Sequence, residues 1–274
     1  MLRSINRTAM GLAVFLVAAL LAESATVYST LKPPLAELVG ALAYVGISLL
    51  FVFILQSFFD KRRFAEIGLK LSPGAAWRRV VRGTLVGGGA MAIVPIVQWL
   101  VGAVTYQRVA AFTWAIPLSG FFRSAGVAFG EELFFRGYIM QMLRRRHGLI
   151  PAMVVSSLVF SVIHYVNPGY APLVLINVFA IGVLLVLMVA ESGSLWSAIG
   201  FHLGWNWVQM TLLEVVPPQG SRFQGLVVFT ERAGVPTLLT GGGYGPEATI
   251  IVTAVIAVLL VRSFKRIARQ GGLE

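Results

Sequence analysis

Six polar or ionisable side chains inside long apolar stretches are the candidates for chemistry, because such groups are rare there. They are Glu131, Glu132, Arg136, His164, His202 and Asn206. A charge at the centre of a membrane-crossing helix costs at least about 2.5–3.5 kcal/mol on insertion scales, so a buried one usually has a partner and a role. Carboxylate, imidazole and amide groups in such surroundings indicate proton transfer and hydrogen bonding at a buried site.

The acidic pair stands in the segment Glu131-Glu132-Leu133-Phe134-Phe135-Arg136. Glu132 and Arg136 are four residues apart and share one helix face, so we interpret them as a structural ion pair rather than a catalytic pair. Glu131 points about 100° away from Glu132 around the helix axis, so its side chain can line a cavity. Adjacent carboxylates in a medium of low dielectric constant also push one pKa upward, which suits a proton-shuttling acid or base.

Two further pairs repeat the four-residue spacing. Phe160 and His164 share one helix face, and so do His202 and Asn206. An imidazole and an amide on one face can each donate a hydrogen bond to a common point. The alternative is that each histidine merely makes a hydrogen bond between helices.

The composition favours a membrane protein. The chain is 57% hydrophobic and 12% charged, whereas a soluble domain carries roughly 25% charged residues. It contains no cysteine, which excludes disulfides, cysteine catalysis and thiolate metal sites. The net charge of +11 comes from basic residues in short loops, a placement that indicates membrane orientation rather than nucleic-acid binding.

The hydropathy pattern predicts an all-α, polytopic transmembrane bundle of about eight spans. The spans are 10–29, 36–58, 83–105, 116–142, 149–165, 171–190, 194–216 and 248–261. We divide the chain into two N-terminal helices, 1–59, and a core of six helices, 60–274. Ala22-Glu23-Ser24-Ala25 resembles a signal-peptide cleavage site, but the apolar run continues through Tyr28, so we expect an uncleaved first helix.

The basic residues predict that both termini are cytoplasmic. With that orientation sixteen Lys and Arg residues fall inside and four outside. The inner ones are Arg3, Arg7, Lys61, Arg62, Arg63, Lys70, Arg78, Arg79, Arg82, Arg144, Arg145, Arg146, Arg262, Lys265, Arg266 and Arg269. The outer ones are Lys32, Arg108, Arg222 and Arg232.

The loops and glycines add three expectations. Residues 60–82 form the main inner loop, either as a short interfacial helix around Phe64–Leu71 or as a plain basic loop. Residues 217–246 form a long outer loop rich in Gly and Pro. Small-residue spacing at Gly83, Gly87, Gly88 and Gly89 predicts close helix packing.

The polar groups also lie at matching depths. At 1.5 Å per residue, Glu131 is about 20 Å from the inner boundary at Arg144, and His164 is about 21 Å from Ile150. Measured from Ser194, His202 and Asn206 lie roughly 12 and 18 Å deep. This agreement is compatible with a single site built from three helices.

At these residues the sequence resembles the CAAX-protease and bacteriocin-processing family, which includes type II CAAX prenyl endopeptidases. The family pattern Glu-Glu-x-x-x-Arg falls on Glu131 to Arg136, Phe-x-x-x-His on Phe160 to His164, and His-x-x-x-Asn/Asp on His202 to Asn206. The resemblance covers about residues 60–261, including Phe64 to Leu69 and Gly245-Pro246-Glu247.

This resemblance implies an intramembrane endopeptidase of a membrane-associated, possibly lipidated, peptide or protein. Glu131 and His164 would activate the attacking water, His202 and Asn206 would stabilise the oxyanion, and Glu132 and Arg136, with Phe160, would support the site. We expect a multi-pass protein of a prokaryotic cell membrane, with the bilayer and its substrate, but no nucleic acid, as partners.

The resemblance leaves the cofactor open. The family is often labelled metalloprotease, and a metal-free, glutamate-dependent mechanism has also been proposed for it. We favour the metal-free mechanism, with zinc on Glu131, His164 and His202 as the alternative. Two further functions are a non-catalytic scaffold or immunity protein of the same fold and a proton-coupled transporter, for which no inverted repeat is evident.

Overall fold

The computed structural model describes residues 31–70, 72–108, 112–164, 172–214 and 225–269. The first predicted span, 10–29, and its cleavage site lie outside these residues. The helices are α1 (Leu35–Ile54), α2 (Pro73–Leu100), α3 (Ala115–Glu132), α4 (Met140–His147), α5 (Leu149–Ile163), α6 (Pro172–Ser192), α7 (Trp196–Leu212), the short α8 (Thr237–Thr240) and α9 (Ile250–Arg269). The predicted all-α membrane bundle is confirmed.

Three of the described helices are long and apolar enough to cross a membrane. They span Leu35–Phe59 (25 residues), Pro73–Leu100 (28 residues) and Pro172–Ser192 (21 residues). Leu149–Ile163 is apolar but shorter, α7 has 17 residues, and α3 carries charged residues within its length. The number of eight spans and the orientation of the termini stay predictions.

The structure corrects the bounds of the third span. Helix α2 begins at Pro73, ten residues before the predicted 83–105. Proline suits the first helical position, and the helix runs on through Arg78, Arg79 and Arg82 before the apolar stretch begins. Before α2, the expected short helix forms over four residues only. Phe64–Ile67 is a 3₁₀ turn, and Ile67 is buried against the bundle, where the backbone N–H of Leu195 donates to the carbonyl of Gly68 at 2.9 Å.

Helices α2 and α7 pack backbone against backbone. A Cβ atom added at Gly83 would lie 2.5 Å from the carbonyl oxygen of Ser197, and one at Gly87 would collide with the backbone of Phe201. The predicted packing role is thus confirmed for Gly83, Gly87 and Gly88, but it is wrong for Gly89, around which nothing lies within 4 Å. This close approach fixes the position of α7, the helix that carries His202.

A small sheet forms at one end of the bundle. It contains β1 (Val104–Arg108), β2 (Leu213–Glu214) and β3 (Val227–Glu231) in the order β1-β3-β2. Strand β3 pairs antiparallel with β1 and parallel with β2. The described part of the predicted outer loop therefore contains a strand and the helix α8, and Gln98 at the end of α2 donates to the carbonyls of Leu239 and Thr240 at 3.0 and 2.9 Å.

Candidate functional site

The acidic motif is followed by a change of helix type. Helix α3 ends at Glu132, and Leu133–Ile139 continues as a π-helix. All seven of its residues are buried. Regular α-helical spacing therefore does not hold between Glu132 and Arg136, although the two side chains still meet. π-Helical turns are frequent at functional sites.

Arg136 holds three groups of the site together. Its Nη1 atom donates to Oε1 of Glu132 at 2.8 Å, and both side chains are fully buried. Its Nη2 atom donates to the carbonyl of Gly182 at 3.3 Å. Its guanidinium lies over the ring of Phe160 at 4.3 Å, within the range of a cation–π interaction. Arg136 thus links the motif to α5 and α6.

His202 lies between the two glutamates. Its Nδ1 atom is 3.0 Å from Oε1 of Glu132, and its Nε2 atom is 3.8 Å from Oε2 of Glu131. A carboxylate can only accept, so Nδ1 carries the proton and donates to Glu132. If Nε2 is protonated as well, the two carboxylates, Arg136 and His202 sum to zero charge, which lowers the cost of burying the cluster.

His164 is oriented by its own helix. Its Nδ1 atom lies 2.7 Å from the carbonyl oxygen of Phe160, so this nitrogen must be the donor. In the neutral ring Nε2 is then an acceptor, which is the state a general base requires. The rings of Phe160 and His164 lie 4.8 Å apart, edge to face, which further restricts the imidazole.

One cavity of about 690 Å³ joins the predicted residues. Glu131, His164, His202 and Asn206 all contribute to its lining, together with Phe160. Glu132 and Arg136 are not among the lining residues and lie fully buried behind them. The structure thus brings together the four residues predicted to be catalytic, while their chemical roles stay predictions.

Sequence reasoning missed other residues of the cavity. Glu247 lines it, and its Oε1 atom accepts a hydrogen bond of 2.7 Å from the indole N–H of Trp205. Arg123 and Gln209 line it as well. An acidic residue directly after Gly245-Pro246, just before an apolar helix, was the available signal for Glu247. Trp205 is buried in the bundle, and its indole is the partner that holds this carboxylate.

Within the described ranges, no three His, Asp or Glu side chains gather in an arrangement that could hold an ion. The Nδ1 atoms of both histidines donate to Phe160 and Glu132, so only Nε2 of each ring could bind an ion. Nε2 of His202 lies 3.8 Å from Oε2 of Glu131. The metal-free mechanism stays a prediction.

Fold and site together define an integral membrane protein with a polar cavity among its helices. Residues 112–208 match the family model described as type II CAAX prenyl endopeptidase Rce1-like. This confirms the family resemblance and supports a CAAX-type intramembrane protease at the level of the family. The matched segment is shorter than the 60–261 expected, but it contains every residue predicted for the site. No curated protein matches the chain.

Proposed function

We propose that this protein is an intramembrane endopeptidase of a prokaryotic cell membrane, acting on a membrane-associated or lipidated peptide or protein. The observation that carries the proposal is the common cavity of Glu131, His164, His202 and Asn206. Each of these groups can perform one part of peptide hydrolysis, and three helices contribute them.

Glu131 and His164 activate the water. Oε2 of Glu131 is buried, and it accepts no hydrogen bond from the described residues, so it can accept one from a water molecule. Nε2 of His164 offers a second acceptor in the same cavity. As the water oxygen attacks the carbonyl carbon, its proton passes to one of these acceptors, which later returns it to the leaving amine when the C–N bond breaks.

His202 and Asn206 stabilise the negative oxygen of the tetrahedral intermediate. A doubly protonated His202 presents Nε2–H, and Asn206 presents its amide N–H. Donors held in a water-poor cavity are effective because little reorganisation accompanies the reaction. Glu132 supports this arrangement, since its hydrogen bond to Nδ1 orients the ring of His202.

The decisive experiment uses the purified protein in lipid with a panel of prenylated and unprenylated peptides. Glu131→Ala should abolish cleavage while the protein stays folded. Glu66→Ala is the matched control, because Glu66 is an exposed carboxylate far along the chain from the cavity lining. If no peptide is cleaved, or if Glu131→Ala cleaves like the wild type, the enzyme proposal is wrong and a binding or immunity protein of the same fold becomes the better interpretation.

The same preparation tests the metal-free mechanism. Activity should survive treatment with a chelator, and metal analysis of active protein should find no stoichiometric zinc. Loss of activity on chelation with recovery on added zinc would favour the zinc alternative on Glu131, His164 and His202. That result would require side-chain positions different from those described above.

A further inference from the structure

The cavity lies toward one end of the helix bundle. Its lining takes Arg123 from the first half of α3, His164 from the end of α5 and Gln209 from the second half of α7. It also takes Gly243 and Tyr244 from the segment that precedes α9. Gly243 is exposed, so the cavity lining extends to the surface of the protein at this end. We call it the sheet end, because β1 and β3 lie there.

The opposite end of the bundle carries the basic residues. Contacts join its segments: Arg79 donates to the carbonyl of Ser192 at 2.6 Å, and the indole of Trp196 donates to the carbonyl of Leu69 at 3.0 Å. Arg266 of α9 lies 3.6 Å from Glu191 at the end of α6. The three arginines Arg144–Arg146 lie in the last turn of α4, at the same end. We call it the arginine end.

The two ends differ in charge in the way that sets membrane orientation. Lys and Arg accumulate in cytoplasmic loops, so in the predicted orientation the arginine end faces the cytoplasm. Arg123 lies eight residues before Glu131 on α3, which puts it about 12 Å nearer the sheet end. The cavity therefore runs from Glu131 and His202 toward the sheet end, which is the non-cytoplasmic face in this orientation.

From this geometry we propose that the substrate peptide reaches the site from the non-cytoplasmic face of the membrane. The inference rests on the proposed function and narrows its substrate class. The substrate is a membrane-anchored peptide whose scissile bond is presented outside the cytoplasm, rather than the C-terminus of a cytosolic protein. The cavity at this end offers Arg123, Gln209 and Glu247 as polar contacts for a peptide.

The natural absence of cysteine makes a direct test available. Single thiols are introduced as Gln209→Cys in the cavity, Gly243→Cys at its exposed rim and His147→Cys at the arginine end. A membrane-impermeant maleimide is applied to intact cells, to permeabilised cells and to detergent-solubilised protein. We expect the thiols at 209 and 243 to react in intact cells and the thiol at 147 only after permeabilisation.

Three outcomes contradict the proposal: the reverse pattern, equal labelling of all three thiols in intact cells, or no labelling at 209 even in detergent. Labelling requires no turnover, so it separates the access route from the chemistry. A second test uses sealed vesicles to which a peptide is added from outside. If the peptide is cleaved only when the arginine end faces outward, the proposed access from the non-cytoplasmic face is wrong, but the proposed hydrolase activity is supported. Correct labelling without cleavage in either orientation would overturn the proposed function, and the substrate assignment with it.

Discussion

The Nδ1 atom of His202 lies 3.0 Å from a carboxylate oxygen of Glu132, and this contact joins α7 to the end of α3. The same oxygen accepts a hydrogen bond from Arg136. Glu132 thus orients a cavity residue from behind, while its neighbour Glu131 lines the cavity itself. Two adjacent carboxylates have different surroundings, which is a common way of giving like groups unlike roles.

Replacing Arg136 should destabilise the protein strongly. Arg136→Met leaves His202 as the remaining partner of the buried Glu132 carboxylate and removes the hydrogen bond to Gly182. Breaking a buried pair costs about 3–5 kcal/mol. Arg136→Lys keeps the charge but not the planar fork, so we expect an intermediate loss. Thermal unfolding in detergent measures both. Equal stability of Arg136→Met and the wild type would mean that the ion pair contributes little.

Asn206 should affect the rate rather than substrate binding. Asn206→Leu removes the amide donor at nearly constant volume, and loss of one oxyanion donor lowers kcat by roughly 10²–10³-fold. The family pattern permits Asn or Asp at this position, so Asn206→Asp should retain more activity than Asn206→Leu. Steady-state kinetics on a cleaved peptide separates kcat from KM. A change confined to KM would contradict the oxyanion role.

The glycines of α2 provide a matched pair of variants. Gly87→Ala inserts a methyl group into the backbone of Phe201, and overpacking of this kind costs about 1–3 kcal/mol. Because Phe201 precedes His202, we also expect a loss of peptide cleavage. Gly89→Ala meets nothing within 4 Å and should be neutral or stabilising by roughly 0.5–1 kcal/mol through helix propensity. If both variants behave alike, the α2–α7 contact does not set the site.

The Trp205–Glu247 hydrogen bond should hold the segment before α9 against the cavity. Trp205→Phe keeps an aromatic ring against Phe201, whose ring centroid lies 5.9 Å away, but leaves the carboxylate without its donor, at a cost of about 1–3 kcal/mol. In a double-mutant cycle with Glu247→Ala, which removes the acceptor, the two effects should be less than additive. Strict additivity of the unfolding free energies would show that the bond is not made.

The sequence by itself predicted a membrane environment, an all-α fold and the polar residues of the candidate site. Apolar runs predicted the bundle, and the four-residue spacing placed Phe160 with His164, because that pair depends on local helical periodicity. Glu132 and Arg136 also meet, although the chain between them is π-helical. The match over 112–208 then confirmed the resemblance that these motifs carried.

Only the tertiary structure decided which groups meet across helices. The approach of His202 to both glutamates depends on where glycines let α7 pack against α2, and the role of Glu247 depends on a hydrogen bond across 42 positions of the chain. The sequence also did not predict the π-helical segment or the short strands. Long-range packing fixes such features, and hydrophobic periodicity records only which face of each element is buried.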